Sequence, residues 1–203
     1  MGKMPINYLV HTCPRCGWSG QEADLQPASR KVRDFVKERI TPMMGKGRVP
    51  PWRKWEWHAK IKETSGEGDF ALGAHFLMAA QCARLDRKYD EEKRYRLHSI
   101  DHYLKALKTG TVPEEVLYQT TYLVGEQYRR VEDKWKAEKW FQKVLEMDLE
   151  HERREFFTDL ARQQMNEPRN IIGGEPDELT REEKPSTWLS RLATRLGFGK
   201  KRY

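Results

Sequence analysis

Five segments of helical period follow one another from residue 69 to residue 166 with only short turns between them. This succession limits the fold more than any other feature of the chain. "DFALGAHFLMAAQCARL" (69 to 85) opens with Asp69 in the N-cap place and carries Phe70, Leu72, Phe76, Leu77, Ala80 and Ala83 at helical spacing. "DEEKRYRLHSIDHYLKALKTG" (90 to 110) has acids in its first turn, Tyr103, Leu104 and Leu107 towards its end, and Gly110 as its stop. "VPEEVLYQTTYLVGEQYRRV" (112 to 131) has Pro113 in its first turn with two glutamates after it. "DKWKAEKWFQKVLEMD" (133 to 148) and "HERREFFTDLARQQM" (151 to 165) complete the set. Helices joined so briefly stack antiparallel on their neighbours.

Small and aromatic residues within this zone fall at the offsets of the tetratricopeptide repeat. From Gly125, an aromatic (Tyr128) comes three positions later, Ala137 twelve, Phe141 sixteen and Val144 nineteen. Gly125 and Ala137 let two helices approach, while Tyr128 and Phe141 fill the space beside them. Ala80, Ser99, Tyr103 and Ala106 take the same places in the pair before it, provided that pair is about seven residues longer. The expected fold class is therefore all-α: a tetratricopeptide-like antiparallel helical stack, with a small N-terminal zinc-knuckle-like segment and a C-terminal amphipathic helix.

Charge divides the rest of the chain. Of 203 residues 34% are charged and 37% hydrophobic, and the net charge is +7. Residues 28 to 62 hold eleven Lys or Arg against three acids, and residues 181 to 203 hold seven against two. The basic character thus belongs to two local segments. No run approaches the ~18 apolar residues of a membrane span, and the N-terminus lacks a signal-peptide core, so a cytoplasmic location is expected. The expected organisation is a cysteine knuckle (1–27), a basic Trp-rich connector (28–68), the helical domain (69–166), a linker (167–184) and an amphipathic basic tail (185–203).

"HTCPRCGWSG" (11 to 20) offers half of a zinc site. Pro14 shapes the turn between Cys13 and Cys16, and Gly17 permits a left-handed conformation in which backbone amides point at the thiolates. A closed structural zinc needs four ligands. His58, after "WRKWEW", is the first candidate for a third. A second chain giving its own Cys13 and Cys16 is another route to four thiolates and makes a homodimer. A metal-free turn and a redox pair are the competing readings; the strand-to-helix context of a thioredoxin-type CxxC is missing. Cys82 sits mid-helix on an apolar face, the usual place of a core cysteine.

Two other stretches invite partners. In "RVPPWRKWEWHAKIK" (48 to 62), Arg48, Trp52, Arg53, Lys54 and Trp55 interleave cations with aromatics, a pattern that stacks on bases and neutralises phosphates. The competing reading has the tryptophans stapling this segment to the helical stack, because Trp is costly to leave in water. In "STWLSRLATRLGFGKKRY" (186 to 203), Trp188, Leu189, Leu192 and Leu196 form one apolar face, and Lys200, Lys201 and Arg202 follow it. Such a helix lies on an anionic membrane surface, docks in a partner's groove, or packs on its own domain.

"CPRCGWSGQEADL", "FLMAAQCARL" and "YLVGEQYRRVEDKWKAEKWFQKVLE" occur in this order, the last fitting YLxGExxRRxxxxxxAxxWFxxV. Together they resemble the bacterial family known as domain of unknown function 2225 over roughly residues 10 to 150. The resemblance implies a tetratricopeptide-like helical domain behind a cysteine knuckle, and no established activity. It also implies a second cysteine pair upstream, which this chain lacks.

No phosphate loop, nucleophile elbow or kinase motif is present, and the histidines make no HExxH set. His98 and His102, four apart, read as an exposed helix face. The function expected is a non-catalytic interaction scaffold. A protein partner sits in a groove lined by Tyr118, Tyr122, Glu126, Arg129 and Arg130, and a structural zinc is the expected cofactor. A nucleic-acid or ribosome-associated protein is the rival reading, and peripheral membrane association through the tail a third.

Overall fold

The computed structural model describes residues 6–148 and 153–168. Among these the protein is all-α apart from one two-stranded hairpin. Strands β1 (His11–Thr12) and β2 (Ser19–Gly20) pair antiparallel, His11 opposite Gly20 and Thr12 opposite Ser19. The cysteine turn lies between them. Helix α1 (Arg30–Phe35) starts at Ser29, whose hydroxyl accepts from Val32 N–H, and runs into one wide turn over Val36–Ile40.

Helix α2 (Pro51–Ser65) takes up the Trp-rich segment. Pro51 stands in its first turn, where a missing N–H costs nothing, and Gly66 ends it with φ of 87°. Sequence periodicity hid this helix, because its tryptophans bury opposite faces. Trp52 and Trp55 enter the main core, whereas Trp57 packs with Val32, Val36, Ile40 and Ile61. Cys16, Trp18 and Met44 pack on that second cluster, which carries the hairpin. Gly17 lets them close: with φ of 78°, its Cβ would stand 2.7 Å from Ile40 Cγ2.

The remaining helices are α3 (Asp69–Leu85), α4 (Tyr89–Thr109), α5 (Leu117–Arg130), α6 (Lys134–Glu146) and α7 (Arg154–Asn166). They are the five that periodicity marked. α3–α4 and α5–α6 form two antiparallel hairpins with the same turn. Arg87 (φ 56°) and Glu132 (φ 70°) take the left-handed conformation at equivalent places. Lys88 N–H donates to Ala83 O, as Asp133 N–H does to Tyr128 O.

The first hairpin is longer than the spacing suggested, and its close contact falls on a different residue. Gly73, not Ala80, meets Ser99 and Tyr103: Ser99 Oγ donates to Gly73 O at 2.7 Å, and a Cβ on Gly73 would stand 2.6 Å from the Tyr103 ring. Gly125 meets Phe141 in the same way in the second hairpin, at 2.8 Å. Counted from the turns, Gly73 and Tyr103 each lie one heptad farther out than Gly125 and Phe141. The turn of the first hairpin therefore lies roughly 10 Å farther from its close contact than the turn of the second does.

Two helix starts departed from expectation: Pro113 precedes a 3-10 turn over Glu114–Val116, α5 itself beginning at Leu117, and the cap of α3 also shifts. Gly68, not Asp69, is the N-cap of α3, and Asp69 instead pairs with His102 Nδ1 at 2.7 Å. His102 is accordingly buried, stacked on Phe76, while its neighbour His98 stays exposed. No helix among the described residues is long and apolar enough to cross a membrane.

Candidate functional site

The cysteine turn is well formed. Cys13 N–H donates to Trp18 O at 2.8 Å and Gly17 N–H to Cys13 O at 2.9 Å, while Thr41 Oγ1 donates to Cys16 O from across the turn. Backbone N–H groups of Cys16 and Arg15 point at the Cys13 thiol and lower its pKa, so this sulfur is the readier thiolate. Burial raises that of Cys16. Two such donors in one turn suit a soft or borderline ion, and they supply half a zinc's shell.

His58 does not join them. Among the described residues, no three or more His, Cys, Asp or Glu side chains are gathered around one point to hold a metal ion as they stand. His58 lies instead fully buried against His75, with ring centroids 4.5 Å apart, and Trp55 packs on both rings. Asp24, from the segment after β2, brings Oδ2 to 3.7 Å from His58 Nδ1. Glu67 brings Oε2 to 3.5 Å from His75 Nε2, and the Lys62 ammonium reaches both acids, at 2.7 and 3.5 Å. Burial, aided by His75, presses the His58 pKa down to about 3, so its ring is neutral.

Sequence reasoning missed Asp24, Glu67 and His75. His75 sits inside an apolar run and the two acids sit in loops, where period carries no information. A buried histidine in "LGAHFLM" needs a polar neighbour, and that was the available signal.

Two further charge clusters hold helices together. Glu56 on α2 is almost wholly buried. It accepts from Tyr95 Oη at 2.7 Å and pairs with Arg53, Lys60 and Arg94. Burial alone would raise its pKa, yet Lys60, Tyr95 and Arg53 outweigh it and hold the carboxyl low. Glu92 and the fully buried Arg96 pair at 2.7 Å on α4, facing Glu126 and Arg130 of α5.

Of the residues expected to line a partner groove, Tyr118 and Tyr122 are buried, whereas Glu126, Arg129 and Arg130 are partly exposed. Tyr118 is completely buried and donates to Met147 O at 2.7 Å. Tyr122 packs on Phe141 and Phe157. Helices α6 and α7 pack on this side of α5 and cover both tyrosines. Glu126 accepts from Arg129 at 2.8 Å and Arg130 at 2.5 Å and ties down both cations.

The basic Trp-rich set is likewise divided. Trp52 and Trp55 face inward, Trp55 Nε1 donating to Ile6 O, and no flat aromatic face is left for a base. Arg53 pairs with Glu56 and rests on the Trp52 ring; Lys54 is half-buried and Arg48 exposed. The tail residues Trp188, Leu189, Leu192, Leu196, Lys200, Lys201 and Arg202 lie outside the described residues.

The family model described as "Uncharacterized protein conserved in bacteria (DUF2225)" matches residues 2–167, most of the chain. The chain belongs to the DUF2225 family. No curated protein and no solved structure matches it. Family membership therefore names no activity, and the residues themselves must carry the functional reading.

Proposed function

We propose that this DUF2225 chain is an interaction module: a tetratricopeptide-like helical scaffold that docks a protein partner at the turn end of its two hairpins. One observation carries the reading. Leu85 (60% exposed), Tyr89 (62%) and Trp135 (62%) stand out at that end, whereas most other large apolar side chains of the hairpins are in the core. Leu85 and Tyr89 flank the turn of the first hairpin, and Trp135 follows the turn of the second. Aromatics left in water are costly to a monomer and are the residues that anchor partners.

A photo-crosslinking residue at position 135, followed by mass spectrometry, identifies the partner. Tyr89→Ala with Trp135→Ala then weakens its binding about thirtyfold or more, the effect of losing one aromatic anchor of about 2 kcal/mol. Unchanged affinity in a folded double variant sinks the reading.

One observation favours the nucleic-acid alternative: Arg30, Lys31, Arg33, Lys37, Arg39 and Arg48 are all exposed. It predicts RNA or DNA binding that falls steeply with salt. A structural zinc at Cys13 and Cys16, completed by the same turn of a second copy, would make the scaffold bivalent. Native mass spectrometry tests this as one zinc per two chains, lost on Cys13→Ser.

A further inference from the structure

The cluster behind Trp55 holds donor atoms that its hydrogen bonds do not use. His58 is completely buried, and neither ring nitrogen has a hydrogen-bond partner. Leaving an imidazole dry and unbonded costs about 1–3 kcal/mol, and a core that needed only bulk would have an apolar residue there. The carboxylate–imidazole distances are informative. At 3.7 Å for Asp24–His58 and 3.5 Å for Glu67–His75, they exceed ordinary hydrogen bonds, which end near about 3.2 Å. Two ligands of one tetrahedral zinc, each about 2.0–2.2 Å from the ion, stand about 3.3–3.5 Å apart.

We propose that Asp24, His58, Glu67 and His75 form a binding site for a first-row divalent cation, zinc foremost, and that the Lys62 ammonium holds the cation's place in the state seen here. The four donors stand as two carboxylate–imidazole pairs, and Lys62 Nζ bridges their acids. That arrangement explains why no three donors are yet gathered: the ammonium keeps the pairs apart. Its departure towards water is open, since the Lys62 side chain is 27% exposed. The charges also fit. Two carboxylates balance one divalent ion, whereas one ammonium balances only one of them. His58 is in the neutral form that ligates, and Gln21 N–H fixes Asp24 Oδ2 from behind at 2.8 Å.

Nitrogen and oxygen donors of this mixture suit zinc, cobalt or nickel rather than magnesium or calcium. The bound ion would clamp the segment carrying Asp24 to α2 and α3, joining the cysteine hairpin to the helical stack. This site is separate from the Cys13–Cys16 turn, and the test separates them.

Full-length chain carrying Cys13→Ser and Cys16→Ser is titrated with zinc by native mass spectrometry and with cobalt by visible absorption at pH 7. The expected result is one ion per chain, with cobalt bands free of thiolate charge transfer. Glu67→Gln in this background weakens binding tenfold or more, and Lys62→Gln tightens it, because the resident cation is gone. Both substitutions sit at part-exposed positions, so they carry the test even where His58→Ala fails to fold. Three outcomes overturn the proposal: no ion retained once the cysteines are serine, binding indifferent to Glu67→Gln, or binding weakened by Lys62→Gln.

Discussion

Tyr95 donates its hydroxyl to Glu56 across 2.7 Å, joining α4 to α2 around a carboxylate that is almost out of water. Arg53 and Lys60 reach the same carboxylate from α2, and Arg94 from α4. A buried anion is tolerable only when ringed by donors in this way. Tyr95 shows the reciprocal effect: burial, then the Glu56 charge, push its phenol well above the usual range.

Glu56→Gln is expected to cost about 2–3 kcal/mol, and Tyr95→Phe about 1–2 kcal/mol, in urea unfolding at pH 7. The pH dependence has a definite sign. The native Glu56 pKa lies below the ordinary glutamate value of about 4.3, so the unfolded chain takes up the proton first. Its contribution is complete at neutral pH and fades as pH falls through the native value. The stability difference between wild type and Glu56→Gln should therefore shrink below about pH 4. A difference that grows on acidification refutes the assignment.

Thiol reactivity should rank with environment. Cys13 has backbone donors that favour its thiolate, whereas burial raises Cys82 far above the ordinary thiol range. Under native conditions at pH 7.5, iodoacetamide is expected to modify Cys13 first and Cys16 more slowly. Cys82 reacts only at the rate of unfolding. Peptide mass spectrometry over time reads all three. Modification of Cys82 together with Cys13 means that α3 opens locally far more often than its packing allows.

The helices from residue 69 onward were legible because their apolar residues recur at helical spacing in long runs, with a stop such as Gly110 after α4. α2 was not, since Trp52, Trp55 and Trp57 point into two different cores and leave no single apolar face. Tyr118 and Tyr122 read as a groove because sequence shows which face of α5 carries aromatics, not that α6 and α7 cover it. His58 stood out as a ligand by residue type alone. Its surroundings come from Asp24, Glu67 and His75, and only long-range packing brings these together. The repeat offsets exposed the second hairpin but misplaced the first. Adding one heptad to each helix leaves the periodic pattern intact while moving the crossing point from Ala80 to Gly73.

That crossing point can be tested by single methyl groups. A Cβ on Gly73 would press into the Tyr103 ring, and one on Gly125 into Phe141. Alanine normally favours a helix over glycine by about 1 kcal/mol, so both substitutions would stabilise an uncrowded helix. Here overpacking of about 1–3 kcal/mol opposes that gain, and the rings are held by their own neighbours. Gly73→Ala and Gly125→Ala are each expected to lower Tm, by up to roughly 4–8 °C for a net loss of up to about 2 kcal/mol at about 2–4 °C per kcal/mol in a chain of this size. Gly45→Ala is the control: it meets nothing within 4 Å and should leave Tm unchanged. In a double-mutant cycle, Phe141→Leu should relieve part of the Gly125→Ala penalty, giving a combined loss smaller than the sum. Full additivity, or a rise in Tm with Gly125→Ala alone, means that α5 and α6 have slack to part and that Gly125 does not set their separation.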